Sequence, residues 1–145
     1  MPESTSYLLH RLVAELDRAA DRLLRAHFGI SYSRALFLFA LHEHGTVTQH
    51  ELATALGYSD PAISTMVQSL IRDGHVETAR SPEHGRKRLV TLTPQGRAFV
   101  AQGRHLLDDR FNDLVLQAGV DLQHYRALTQ QLFQALTGQR SPHEG

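Results

Sequence analysis

Thr48-Gln49-His50-Glu51-Leu52-Ala53-Thr54-Ala55-Leu56-Gly57-Tyr58-Ser59-Asp60-Pro61-Ala62-Ile63-Ser64-Thr65-Met66-Val67 is the stretch that decides how this 145-residue chain is read. Thr48 is a residue type that caps helices, and Glu51 three positions on completes a capping box. Leu52, Ala53 and Leu56 make one apolar face, and Gly57 supplies a tight turn. Ser59 caps a second helix with Pro61 in its first turn, where a missing N–H costs nothing. Ile63, Met66, Val67, Leu70 and Ile71 form the expected buried face of that helix, and Gly74 stops it. Two short helices joined in this way form a helix-turn-helix.

Downstream, Val76 to Arg80 and Leu89 to Leu92 alternate as two strands. The loop Ser81-Pro82-Glu83-His84-Gly85 and a basic tip, Arg86-Lys87-Arg88, lie between them. Thr93-Pro94 starts a long helix carrying Phe99, Val100, Leu106, Leu107, Phe111, Leu114 and Val115. Gly119 and Asp121 mark a break and a new cap, and Leu122, Tyr125, Leu128, Leu132, Phe133 and Leu136 pattern a last helix. Upstream, apolar residues from Tyr7 to about Phe28 recur at three- and four-residue steps. Gly29 ends that helix, and Ser31 or Ser33 caps the next. A six-turn amphipathic helix at the start of so small a domain predicts a partner chain to cover its stripe. Ala35 to Leu41 is apolar on nearly every side, which predicts a central helix. The expected class is mainly α with a small β wing.

Net charge is zero, so its distribution carries the information. Residues 72–97 hold six Lys or Arg against three Asp or Glu, whereas residues 45–71 hold none against two. A local basic patch suffices for phosphate contact, because the field of DNA is felt over roughly 8–10 Å. A charge run alone is usually a solvated face; placed directly after a helix-turn-helix, it reads as a DNA-binding wing. The candidate DNA contacts are Thr48, Ser59, Asp60, Pro61, Ala62, Ser64, Thr65, Gln68, Ser69 and Arg72 on the helices, with His84, Arg86, Lys87 and Arg88 on the wing. Short hydroxyl and amide groups can bond base edges or phosphates. An arginine at a hairpin tip suits the narrow, electronegative minor groove.

Other classes find less support. There is no cysteine, hence no disulfide, thiolate metal site or thiol switch. No apolar run approaches the ~18 residues that span a membrane. Met1 to Ser6 lacks the pattern of a secretory leader, which leaves the cytoplasm as the expected location. No nucleophile triad, P-loop, dinucleotide turn or zinc-protease motif is present, so neither an enzyme nor a cofactor is expected.

The chain resembles the MarR family of bacterial transcriptional regulators over about residues 7–137. The resemblance rests on Leu52-Ala53-x-x-Leu56-Gly57-x-Ser59, on Leu70-x-x-x-Gly74-x-Val76, and on Arg86 with Leu92-Thr93-x-x-Gly96. It implies a single domain over 1–145. Residues 7–30 and 97–137 would be dimerisation helices, 31–96 a winged helix-turn-helix lobe and 138–145 a polar tail. It further implies a homodimer that binds duplex DNA at a palindromic operator, usually as a repressor, and that is released by a small aromatic or phenolic effector. The sequence departs from the pattern at His84, where the family's wing commonly places an aspartate that orients the tip arginine.

The resemblance places the effector pocket among the first, second and fifth helices, with His10, Tyr32, Phe39, His42 and Arg104 as candidates and Phe37 beside them. Phe37 and Phe39 are read first as core packing. Ten histidines raise a metal-responsive, zinc-type alternative: His105 and Asp109 share a helix face, and His42 is a third candidate ligand. A winged-helix protein-interaction module is the other alternative. It predicts no salt-dependent DNA affinity and no loss when Arg86 is changed.

Overall fold

The computed structural model describes residues 2–83, 85 and 87–138. The elements run α1 (Thr5–Phe28), α2 (Tyr32–His44), β1 (Val47–Thr48), α3 (Gln49–Leu56), α4 (Asp60–Arg72), β2 (Val76–Arg80), β3 (Arg88–Leu92), α5 (Pro94–Gln117) and α6 (Leu122–Gly138). Contacts divide the chain into two units, with the division between His105 and Leu106.

Local chemistry sets most of the ends. The Ser4 hydroxyl accepts from Tyr7 N, so α1 starts at Thr5 rather than Tyr7. Ser31, not Ser33, caps α2 by accepting from Arg34 N. The hydroxyls of Thr48 and Ser59 accept from Glu51 N and Ala62 N, which starts α3 and α4 where the sequence places them. Between those helices Gly57 takes φ 72°, the left-handed conformation a side chain disfavours, and Tyr58 N donates to Ala53 O.

In the first unit, Phe37, Leu38 and Leu41 of α2 are buried with Leu24 of α1, Leu52 of α3, Ile63, Val67 and Leu70 of α4, Val90 of β3 and Val100 of α5. Each such side chain, fully buried, stabilises the fold by roughly 1.5–3 kcal/mol. The central helix is not covered on every side as expected. It packs on α1, α3 and β3, and Leu36 on the remaining side is 44% exposed. The buried sector of α4 also differs. Ser69 turns inward and Ile71 is left exposed, with Met66 half-buried, because α4 packs on α3 and β2.

The sheet is antiparallel in the order β1-β3-β2. The hairpin register pairs Val76 with Leu92 and Arg80 with Arg88. β1, two residues long and without a sequence signal of its own, adds a third strand by pairing Val47 with Val90. The wing is tied to the end of α4 at one joint. Thr93 Oγ1 donates to Gly74 O at 2.6 Å and accepts from Gly96 N at 3.0 Å, and Thr93 N donates to His75 O at 3.0 Å. Gly96 lies so close to His75 that a Cβ would sit 2.1 Å from His75 O.

The second unit begins within α5. After α5, Asp121 Oδ1 accepts from His124 N and starts α6, as the sequence predicts. Phe111 and Tyr125 meet at 6.2 Å between ring centroids. No residue of α6 is buried, and Leu128, Leu132, Phe133 and Leu136 are all exposed.

Candidate nucleic-acid interface

Capping brings the polar starts of α3 and α4 to the surface, and the sheet brings the wing beside them. Together they line a groove of about 510 Å³ formed by Thr48, Gln49, His50, Glu51, Asp60, Ser64, Lys87 and Arg88. The groove therefore joins three segments that the sequence treats separately: the first turn of α3, the first turns of α4 and the root of the wing. Its charge is mixed, with two carboxylates, two cations and a histidine. His50 Nδ1 lies 3.1 Å from Asp60 Oδ1, and both side chains are exposed.

Each expected contact can now be placed. Pro61, Ala62, Thr65, Gln68 and Arg72 are exposed on α4, and Ser64 is half-buried at the groove wall. Thr65 Oγ1 donates to Pro61 O at 3.1 Å, so its proton is spent within the helix and its methyl and lone pairs remain for a partner. Ser69 does not stand on the outer face: it is 7% exposed, a consequence of the turned buried sector of α4. Thr48 is 8% exposed, and its hydroxyl is engaged as the α3 cap. Ser59 is exposed, and its hydroxyl is engaged in the same way at α4. His84 and Arg86 lie outside the described residues. Gln49, His50 and Glu51 were not expected at the site. Their only sequence signal was the capping pattern that starts at Thr48, which reads as structural.

The wing root holds an unfavourable arrangement. Arg80 and Arg88 are directly opposite across β2 and β3, and Lys87 adjoins them. Like charges at paired positions destabilise a sheet by roughly 0.2–1 kcal/mol. Among the described residues no carboxylate forms an ion pair with Arg80, Lys87 or Arg88. An external anion is the chemistry that relieves this arrangement.

The expected effector residues divide into separate settings. Phe37 is core. Phe39 stacks on Phe99 at 6.0 Å, and the Arg104 guanidinium lies 6.0 Å above its ring while bonding Glu43 Oε1 at 2.5 Å. That bond holds the Glu43 carboxyl below its ordinary range. Tyr32, two turns from Phe39, lines an open groove with Asp17, Asp21, Arg22 and Arg25. Burial, then Asp17, raises its phenol pKa. His10 and His42 are exposed. Among the described residues no group of three His, Cys, Asp or Glu side chains is arranged to hold a metal ion.

The MarR family model matches residues 28–87. No curated protein matches the chain. Among solved structures, wild-type apo MarR from E. coli is similar with a TM-score of 0.78 and 24% identity, over 94% of this chain and 98% of that one. MepR from Staphylococcus aureus, a transcription regulator of the multidrug efflux pump MepA, is similar with a TM-score of 0.73 and 23% identity, over 94% and 98%. A MepR–DNA complex from S. aureus gives 0.74 and 23% over the same shares. At these identities the structural likeness establishes the fold, a mainly helical chain with a three-stranded winged-helix sheet.

Proposed function

We propose, from the family-model match over residues 28–87, that the chain is a member of the MarR family and a sequence-specific DNA-binding transcriptional regulator acting as a homodimeric repressor. The observation that carries this reading is the wing root. Arg80 and Arg88 face each other without a described carboxylate partner, beside a groove bounded by the first turn of α4. DNA phosphates supply the missing anion, and α4 enters the major groove with its first turns toward the bases. The dimer is supported by exposed apolar side chains on α1 (Tyr7, Leu8, Leu9, Leu12 and Val13) and, separately, on α6. Two copies would place half-sites about 10 bp apart on a palindromic operator. Release by a small aromatic acid is the effector reading. It is supported by the Arg104 cation over Phe39, the pair to change first.

The test is selection of bound sequences from a random duplex pool, followed by a salt titration on the selected site, with and without aromatic acids. A two-fold-symmetric site whose affinity falls steeply with salt is expected. Failure to select any site, or affinity indifferent to salt, returns the chain to the interaction-module reading. Arg88→Ala separates structure from function by opposite signs. It should stabilise the free protein by a few tenths of a kcal/mol. It should also weaken DNA binding for all sequences and lower the salt slope by about one. Arg86→Ala should weaken binding in the same general way.

A further inference from the structure

Asp60 is the one expected α4 contact that carries a negative charge. It is the first residue of α4, it is exposed, and it lines the groove with Ser64, Lys87 and Arg88. Beside a phosphate it would be repelled. The partner in duplex DNA that suits a carboxylate is an exocyclic amino group on a base edge, which the major groove presents at cytosine N4 and adenine N6. Adenine sets its N7 acceptor next to that amino group, so a second carboxylate lone pair meets it unfavourably; cytosine sets only C5–H there. The first turn of a recognition helix is where base edges are reached.

A second residue fixes the carboxylate. His50, ten positions upstream in the first turn of α3, places Nδ1 3.1 Å from Asp60 Oδ1, which leaves Oδ2 for an outside donor. The other charged groups lining the groove are Glu51 on α3 and Lys87 and Arg88 at the wing root. The two cations offset the charge that Asp60 brings toward the DNA.

We propose that Asp60 is a specificity-determining residue that accepts a hydrogen bond from cytosine N4 in the major groove, and that His50 is the residue that positions it. This rests on the reading of the groove as a DNA interface.

The experiment repeats the selection with the full-length wild type, Asp60→Asn, His50→Ala and His50→Asn. The wild type should require cytosine at one position of each half-site. Replacing that C·G pair by T·A should cost it about tenfold in affinity. Asp60→Asn should lose that discrimination and drift toward adenine, because an amide offers both a donor and an acceptor. The same C·G to T·A change should then cost Asp60→Asn nothing, a comparison within one protein that does not depend on the variant's own stability. His50→Ala should reduce the discrimination several-fold. His50→Asn, whose amide nitrogen falls near the place of Nδ1, should restore it. An unchanged cytosine requirement in Asp60→Asn overturns the proposal while leaving DNA binding intact. No rescue by His50→Asn overturns the positioning role. A wild type that selects no site takes down the reading of the groove together with this proposal.

Discussion

The two units of the chain use the same kinds of side chain to opposite ends. Of the buried apolar side chains among the described residues, all but Val115 lie before His105. Beyond His105, Leu132 and Phe133 are 67% and 66% exposed on α6. Single exposed apolar residues are ordinary, but a helix that leaves most of its apolar stripe in water is not. The first unit has the core of a self-supporting fold, whereas the second leaves most of the apolar side chains of α6 exposed, which fits the proposed dimer. The N-terminal half of α1, exposed from Tyr7 to Val13, shares that second character although it belongs to the first unit.

The contrast can be broken most forcefully at Gly96. A methyl group there would meet the His75 carbonyl at 2.1 Å, a backbone atom fixed by its bond from Thr93 N. Gly96→Ala should cost about 3 kcal/mol or more, read as a lowered urea midpoint with DNA binding lost. A near-neutral result would show that the joint between α4 and the wing is soft. Phe133→Asp probes the other unit. It should weaken self-association by about 2 kcal/mol, roughly thirtyfold in Kd by sedimentation. A monomeric wild type at micromolar concentration would leave the apolar stripe of α6 without its proposed cover. Ser59→Ala removes the cap of α4 and should cost about 1 kcal/mol in denaturant unfolding. No change would mean that tertiary packing alone holds the helix start.

The smallest effect is electrostatic and sits where α1 meets α2. Asp21 accepts from Tyr32 N at 2.9 Å and from Arg25 Nε at 2.8 Å, and these bonds, the backbone one foremost, hold its carboxyl below the usual range. Because the folded pKa is the lower one, the stabilisation is full above the unfolded value of about 4 and is lost as pH falls through the depressed value. Urea midpoints measured at pH 5 and pH 3 should differ less in Asp21→Asn than in the wild type. An equal difference in both proteins would assign the acid sensitivity to other carboxylates, such as Glu43 beside Arg104.

How far the sequence could be read depended on the range of each interaction. The caps at Thr48, Ser59, Thr93 and Asp121 were legible because each acts within three residues of itself. The buried stripe of α4 was legible only in outline. Periodicity located Ile63, Val67 and Leu70, but the neighbours α3 and β2 decided that Ser69 turns inward and Ile71 outward. Strand β1 was invisible, because two residues carry no pattern and become a strand only when Val90 pairs with Val47. The groove was half legible. Thr48, Asp60, Ser64, Lys87 and Arg88 are expected as contacts from the sequence, whereas Gln49, His50 and Glu51 enter because packing sets the start of α3 against that of α4.

The order of the helices and of the wing hairpin, most of their caps and the family resemblance were determined by the sequence alone. Turn residues, caps and hydrophobic period act over a few positions and need no knowledge of the rest of the chain. Tertiary structure alone decided what converges: Arg80 opposite Arg88, His50 on Asp60, and the Gly96 contact with His75. Those outcomes depend on how whole helices and strands are seated on one another, a free energy shared across the core and carried by no short stretch of residues.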